Sequence, residues 1–305
     1  MQTQPLHDRF GVEITDVDLR EVAAGNYPAI RALFDRHSLL LFKGQSLDDE
    51  AHMDLVSLFG PIEDRVADAA QTMPRERPPV PLLTTLNEAG DGVVAADSLT
   101  LLNLLANSFW HTDSTFLRKP ALLNAITARV VPSSGGATEI ASTRAAWQDL
   151  PQSIKDKAEA TVFLHSVLPS RMATDERLLT LPEVTRYRGQ AWRGVWPNPV
   201  TGDKALYIAN HIYGARGMAW DDGRAFAEEL IEFATRPEYV YAHAWEPGDV
   251  LIWDERATMH RVRPWPYEEV RTLASICVTA RECDGLGLVK PSGGAIREEE
   301  IFRAA

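Results

Sequence analysis

From residue 107 onward the chain breaks into short apolar or alternating segments, most of them closed by turn-forming residues: NSFWHTDSTF, ALLNAITARVV, GGATEI, KALYIAN, YVYAHAW, GDVLIWDE and RTLASICVTA. No such segment can bury a face alone, so together they must build sheets that pack against one another or close on themselves. Two more strands are expected near the start, in GVEITDVDLR (11–20) and SLLLFKGQ (38–45). Helical spacing is confined to a few places. PAIRALFDRH repeats Ile30, Leu33, Phe34 and His37, and a stretch capped by Ser46 or Asp48 repeats Met53, Leu55, Val56 and Phe59. A third helix is expected over 222–235.

Strands divided by glycine and proline turns, with helices packed outside, predict a mainly β chain on a double-stranded β-helix core, a cupin-like jelly roll. A single domain over 1–305 is expected. Within it, 62–106 is proline-dense and turn-rich and is read as an insertion or active-site lid. The tail, 284–305, is read as a C-terminal extension.

The balance of 31 basic and 43 acidic residues gives a net charge of −12, which repels phosphate backbones and anionic lipid surfaces. Nucleic acid and membrane partners are therefore not expected, and a small-molecule substrate is; a homo-oligomer is left open. The two cysteines, Cys277 and Cys283, have no CxxC spacing, and the polar, acidic N-terminus shows no signal-peptide pattern, so a cytoplasmic location is expected.

The strongest local motif is His111-Thr112-Asp113. Residues two apart on a strand project to one face, so an imidazole and a carboxylate could grip one ion. Alone the pair is weak evidence, because 8 histidines among 43 acidic residues produce such pairs by chance. A third donor is needed. His260 follows the apolar strand of GDVLIWDERATMHR, while His165, His211 and His243 also have strand-like surroundings and compete. Two histidines and one carboxylate leave positions open on an octahedral iron, where a closed four-ligand zinc site would not.

Beyond His260, RVRPWPYEE breaks the strand and RTLASICVTA resumes it. By period-two alternation Arg271, Leu273, Ser275, Cys277 and Thr279 share a face, so Arg271 and Ser275 should look into one cavity. A buried guanidinium needs a negative partner: a bound carboxylate, or an ion pair with Glu268 or Glu269.

The stretches QPLHDRFGVEITDVDLRE, SLLLFKGQSLDDE through LFGPIE, FWHTDSTF, VVPSSGGATEI with TRAAWQDLP, and GDVLIWDERATMHR with Arg271 occur in an order and spacing that resemble the taurine dioxygenase and 2,4-dichlorophenoxyacetate dioxygenase family. The resemblance implies an Fe(II)/2-oxoglutarate-dependent dioxygenase that uses O2 to oxidise a C–H bond of a small organic substrate, releasing succinate and CO2. It implies metal ligation by His111, Asp113 and His260, and binding of the 2-oxoglutarate distal carboxylate by Arg271 with Thr138. Trp253 would lie near the metal and Asn107 would face substrate.

Three positions depart from the family pattern: Ser275 replaces a second arginine of relatives that bind anionic substrates, Glu255 replaces an Asn, and Ala137 replaces an Asp. The first implies that an anionic head group meets another cation here, or is held more weakly. Three other readings remain: an aryloxyalkanoate ether-cleaving dioxygenase as the subtype, a non-catalytic jelly-roll protein binding a metal or small ligand, and zinc-dependent hydrolysis on the same ligands.

Overall fold

Leu39–Phe42 is apolar throughout, and in the computed structural model it is buried on both faces: Leu40 and Phe42 enter one core, Leu39 and Leu41 another. The structure describes residues 1–23, 25–70, 72–187, 189–292 and 296–302. The strand belongs to a seven-stranded sheet ordered Thr3–Pro5, Val12–Ile14, Leu39–Phe42, Val250–Asp254, Ala121–Val130, Thr272–Thr279 and Leu82–Thr84. All neighbours are antiparallel except Val12–Ile14 beside Leu39–Phe42.

A three-stranded sheet, Val240–His243, Thr138–Ser142 and Thr258–Val262, packs against the inner face. Leu39, Leu41, Ile126, Leu251, Trp253 and Leu273 from the large sheet meet Ile140 from the small one. Two minor sheets extend the small side, Ile212–Ala215 with Val162–His165 and Gln190–Arg193, and Lys204–Leu206 with Val195–Pro197. This is the expected jelly roll.

Helices Tyr27–His37 and Asp49–Ser57 cover the outer face of the large sheet, where Ile30, Phe34, Leu55 and Val56 pack with Phe42, Val250 and Ile252. Each such side chain contributes roughly 1.5–3 kcal/mol on burial. Asp48, not Ser46, caps the second helix by accepting from the Ala51 amide at 2.8 Å. The expected 222–235 helix spans Trp220–Ala234, with Asp221 and Asp222 in its first turn complementing the helix dipole.

The strand expected over NSFWHTDSTF does not form. Ala106–Ser108 is a 3-10 turn, His111 makes an isolated bridge to His260, and Ser114 takes a left-handed φ of 58° that turns the chain away. Thr258–Val262 is already paired with Thr138–Ser142 on its other side, and only one residue of the 107–116 segment reaches its free edge.

Residues 62–106 are not wholly irregular. They carry helices Arg65–Ala70 and Leu99–Leu105, and between them Leu82–Thr84 is the edge strand paired with Thr272–Ala274. In the C-terminal segment Leu286 and Val289 join the outer core, and the Phe302 ring lies 5.3 Å from Tyr213.

Candidate active site and metal centre

The His111–His260 bridge fixes the first two side chains. The His111 amide donates to the His260 carbonyl at 3.0 Å and the His260 amide to the His111 carbonyl at 2.8 Å. Directly opposed residues of an antiparallel pair share a face, and the two ring centroids are 4.1 Å apart. The backbone then passes Thr112, whose buried hydroxyl donates to the Ile208 carbonyl at 2.9 Å, and delivers Asp113. Its carboxylate oxygens lie 3.9 Å from His111 Nε2 and 3.8 Å from His260 Nε2.

One donor atom from each of the three residues lies within 4.8 Å of the others. Ligand atoms about 2 Å from a shared ion stand at most about 4 Å apart, so the set needs little adjustment to hold a metal. The tautomer suits this, because His111 Nδ1 donates to the Phe109 carbonyl at 2.8 Å and leaves the Nε2 lone pair toward the cluster. His165, His211 and His243 are not in the set. His243 pairs with Asp249 at 3.0 Å, His165 is buried on its strand, and His211 lies on the cavity wall with its ring 6.0 Å from His111.

Neighbours hold the donors in place. The Asn124 amide donates to Asp113 Oδ2 at 2.7 Å, and Ser275 Oγ donates to Asn124 Oδ1 at 3.0 Å. Glu255 accepts from the Asp113 amide at 2.9 Å and from the Trp253 indole at 2.7 Å, and the Trp253 and His260 rings are 4.6 Å apart. Burial opposes ionisation of Asp113, but His260, Arg65 and His111 outweigh it and hold the carboxyl well below its usual range. Burial also lowers both imidazoles, His260 to about 3. Burial, and then Asp113, push the Glu255 carboxyl well above its usual range.

The donors open onto a cavity of about 350 Å³. All five further residues singled out in the sequence, Asn107, Thr138, Trp253, Arg271 and Ser275, line it. Arg271 is 4% exposed and lies 4.9 Å from the Trp265 ring centroid; one terminal nitrogen donates to the Gly136 carbonyl at 3.0 Å. Its Nε has no partner among the described residues, and burial lowers its pKa to about 10. It does not pair with Glu269, whose carboxylate takes the Ser133 amide and hydroxyl. Gly136 has φ 67°, and a Cβ there would lie 3.1 Å from Arg271 Nε, so the close approach of backbone to guanidinium calls for glycine. Thr138 Oγ1 accepts from the Trp245 indole at 2.9 Å.

Sequence reading did not single out Asn124, Arg65 or Arg171. Asn124 had a signal: it is the one amide in the mostly apolar ALLNAITARVV, and the register sets it beside Trp253 and Cys277. Arg171, on helix Leu168–Thr174, had none, since nothing in its local pattern points to the cavity it lines.

A jelly roll carrying two imidazoles and one carboxylate at the wall of a partly closed cavity offers the donor set of a mononuclear metal centre with coordination positions to spare. The chain belongs to the family described as "Taurine catabolism dioxygenase TauD, TfdA family", whose model matches residues 2–277. It is 32% identical over 271 residues to the alpha-ketoglutarate-dependent 2,4-dichlorophenoxyacetate dioxygenase of Cupriavidus pinatubonensis, covering 88% of this chain and 94% of that protein. It is 29% identical over 278 residues to the (S)-phenoxypropionate/alpha-ketoglutarate-dioxygenase of Sphingobium herbicidovorans, covering 88% and 91%. The crystal structure of AAD-2 in complex with Mn(II) and N-oxalylglycine superposes with a TM-score of 0.84 at 32% identity, over 93% of this chain and 99% of that one. The protein is a 2-oxoglutarate-dependent non-haem iron dioxygenase: it uses Fe(II), 2-oxoglutarate and O2 to oxidise a small organic substrate. Among the described residues no helix is long and apolar enough to cross a membrane.

Proposed function

We propose that His111, Asp113 and His260 hold the iron, that Arg271 with Thr138 receives the distal carboxylate of 2-oxoglutarate, and that the substrate is a small organic anion whose head group meets Arg171. The convergence of the three donors within 4.8 Å, on a cavity whose wall also carries a buried guanidinium with an Nε unpartnered among the described residues, supports this reading most strongly.

The bound iron supplies the O2 chemistry and the protein supplies position and electrostatics. Asn124 and the Glu255-bound amide orient Asp113, the Phe109 carbonyl orients His111, and Trp253 packs on His260. For the head group, Arg271 stands at the cosubstrate end, while Arg171 lines the same wall close enough to the metal donors for its charge to act on His111 and His211. The named substrates of the two relatives, 2,4-dichlorophenoxyacetate and (S)-phenoxypropionate, carry a carboxylate and an ether. Hydroxylation of a carbon beside such an ether oxygen gives a hemiacetal that breaks down to a phenol and a carbonyl compound, so ether cleavage is the subtype we favour.

In this reading 1–305 is one cytoplasmic domain with 284–305 as its extension, and the −12 charge argues against nucleic acid and membrane partners. Residues 62–106 act as lid, since Arg65, Leu82, Leu99, Asn103 and Leu104 all face the cavity. The decisive test is Asp113→Ala. Loss of 2-oxoglutarate-dependent succinate formation, with an unchanged circular dichroism spectrum, is expected; full succinate production would remove the ligand assignment.

A further inference from the structure

A second cavity, of about 220 Å³, lies behind the first and shares three wall residues with it: Arg65, Leu83 and Ser275. Elsewhere its lining is mostly apolar, with Met53, Ile62, Val66, Val80 and Ile276 beside the prolines of the 78–81 stretch. The Asp64–Arg75 ion pair, 2.7 Å, stands on the same wall. Ser275 is the smallest of the three shared side chains, and its hydroxyl is committed to Asn124, so it offers the junction little bulk and no free polar group.

The size of the main cavity makes the second space relevant. Pockets for single drug-sized ligands run from about 300 to 1,000 Å³, and here about 350 Å³ must take both 2-oxoglutarate and substrate. Little room is left for any part of the substrate beyond the head group and the carbon that reacts.

We propose that the cavity behind Ser275 receives the apolar tail of the substrate, an alkyl or aryl extension that passes the small Ser275 side chain while the reacting carbon stays beside the metal donors. The inference rests on the anion reading above for the head group, but the tail site is defined by its own walls. Each methylene moved from water into such a space strengthens binding about fourfold. Affinity should therefore climb with tail length until the space is filled, then level off.

The test uses phenoxyacetates carrying 4-n-alkyl chains from methyl to hexyl, titrated calorimetrically into the Fe(II)–2-oxoglutarate enzyme without oxygen. Wild type should gain about fourfold per methylene over the first members. Val80→Trp, which fills the second cavity from the side away from the metal, should flatten the series, and Met53→Trp does the same from the helix if the first variant folds poorly. A flat series in wild type, or a slope unchanged in a folded variant, overturns the proposal. If the short members fail to bind while the long ones bind in a Val80-dependent manner, the tail site stands and the head-group reading falls. If no member binds, both fall. A raised KM for O2 in the variant, with the slope intact, would make the space a gas passage and overturn the proposal as well.

Discussion

His111 and His260 exchange both backbone hydrogen bonds across a single antiparallel bridge, which sets their rings 4.1 Å apart before any metal arrives. Asp113 follows two residues later on a segment tied down by Thr112 and Glu255. On the proposed ligand set metal binds without refolding, so binding adds to stability by mass action alone. Fe(II), or Mn(II) as a redox-stable stand-in, at a hundred times its Kd should stabilise by about 2.7 kcal/mol, or about 5 °C in Tm. The Asp113→Ala protein should show no shift in the same melting experiment, and an equal shift in both would place the ion elsewhere.

The chain Ser275–Asn124–Asp113 predicts a graded loss. Asn124→Leu removes the amide that holds Asp113 Oδ2 and should weaken Fe(II) binding by roughly 10- to 100-fold. Ser275→Ala releases only the far end of the chain and should cost about 1 kcal/mol, a fewfold change. Metal titrations that put the two in the reverse order would show that the chain does not transmit orientation.

Arg271 predicts a split between kinetic constants. Arg271→Met removes a charge-assisted contact worth about 1.5–3 kcal/mol, so KM for 2-oxoglutarate should rise roughly 10- to 100-fold with kcat little changed. Arg271→Lys keeps the charge but not the fork, and should recover only part of the affinity. A variant with unaltered KM for 2-oxoglutarate would free Arg271 from this role.

Local pattern was enough where local forces decide. The helix at Tyr27–His37 and the two-faced strand Leu39–Phe42 follow from spacing and burial within their own residues. The returning strand did as well, because alternation alone put Arg271 and Ser275 on one face. The 107–116 segment was misread as a strand for the opposite reason. Its alternation is present, but whether a strand forms depended on a partner edge far along the chain and on the left-handed turn at Ser114. Arg171 was invisible because a helix outside the sheets brings it to the cavity, and no periodicity encodes that docking. The three side chains came together although the strand expected through His111 and Asp113 does not form, because a single bridge sets His111 beside His260.

His52 predicts how stability depends on pH, away from the metal site. Burial, with Arg129 adding to it, lowers its pKa to about 4, outweighing the opposing effects of the Ala125 backbone and Asp49. Its unfolded value is about 6.5. Between these values the unfolded chain binds the extra proton, so stability is full above about pH 6.5 and falls as pH drops toward 4, by up to about 1.4 kcal/mol per unit. His52→Leu keeps an apolar side chain in the same place without the titration. Urea midpoints between pH 7 and pH 5 should fall less in the variant than in wild type, and parallel curves would mean that His52 is protonated in the folded protein.

Arg171 carries the prediction that separates substrate recognition from the shared chemistry. If it meets an anionic head group, the contact forms equally in the bound complex and in the transition state, so its loss should appear in KM and not in kcat. Arg171→Met should raise KM for a phenoxyacetate substrate by about 10- to 100-fold, the equivalent of one charge-assisted hydrogen bond, and leave KM for 2-oxoglutarate where it was. Arg171→Lys should restore part of the loss. The contrast with Arg271 makes the pair diagnostic, because the two arginines line one cavity and their substitutions should raise KM for different ligands. Should Arg171→Met raise KM for 2-oxoglutarate instead, the two ends of the cavity have been assigned the wrong way round.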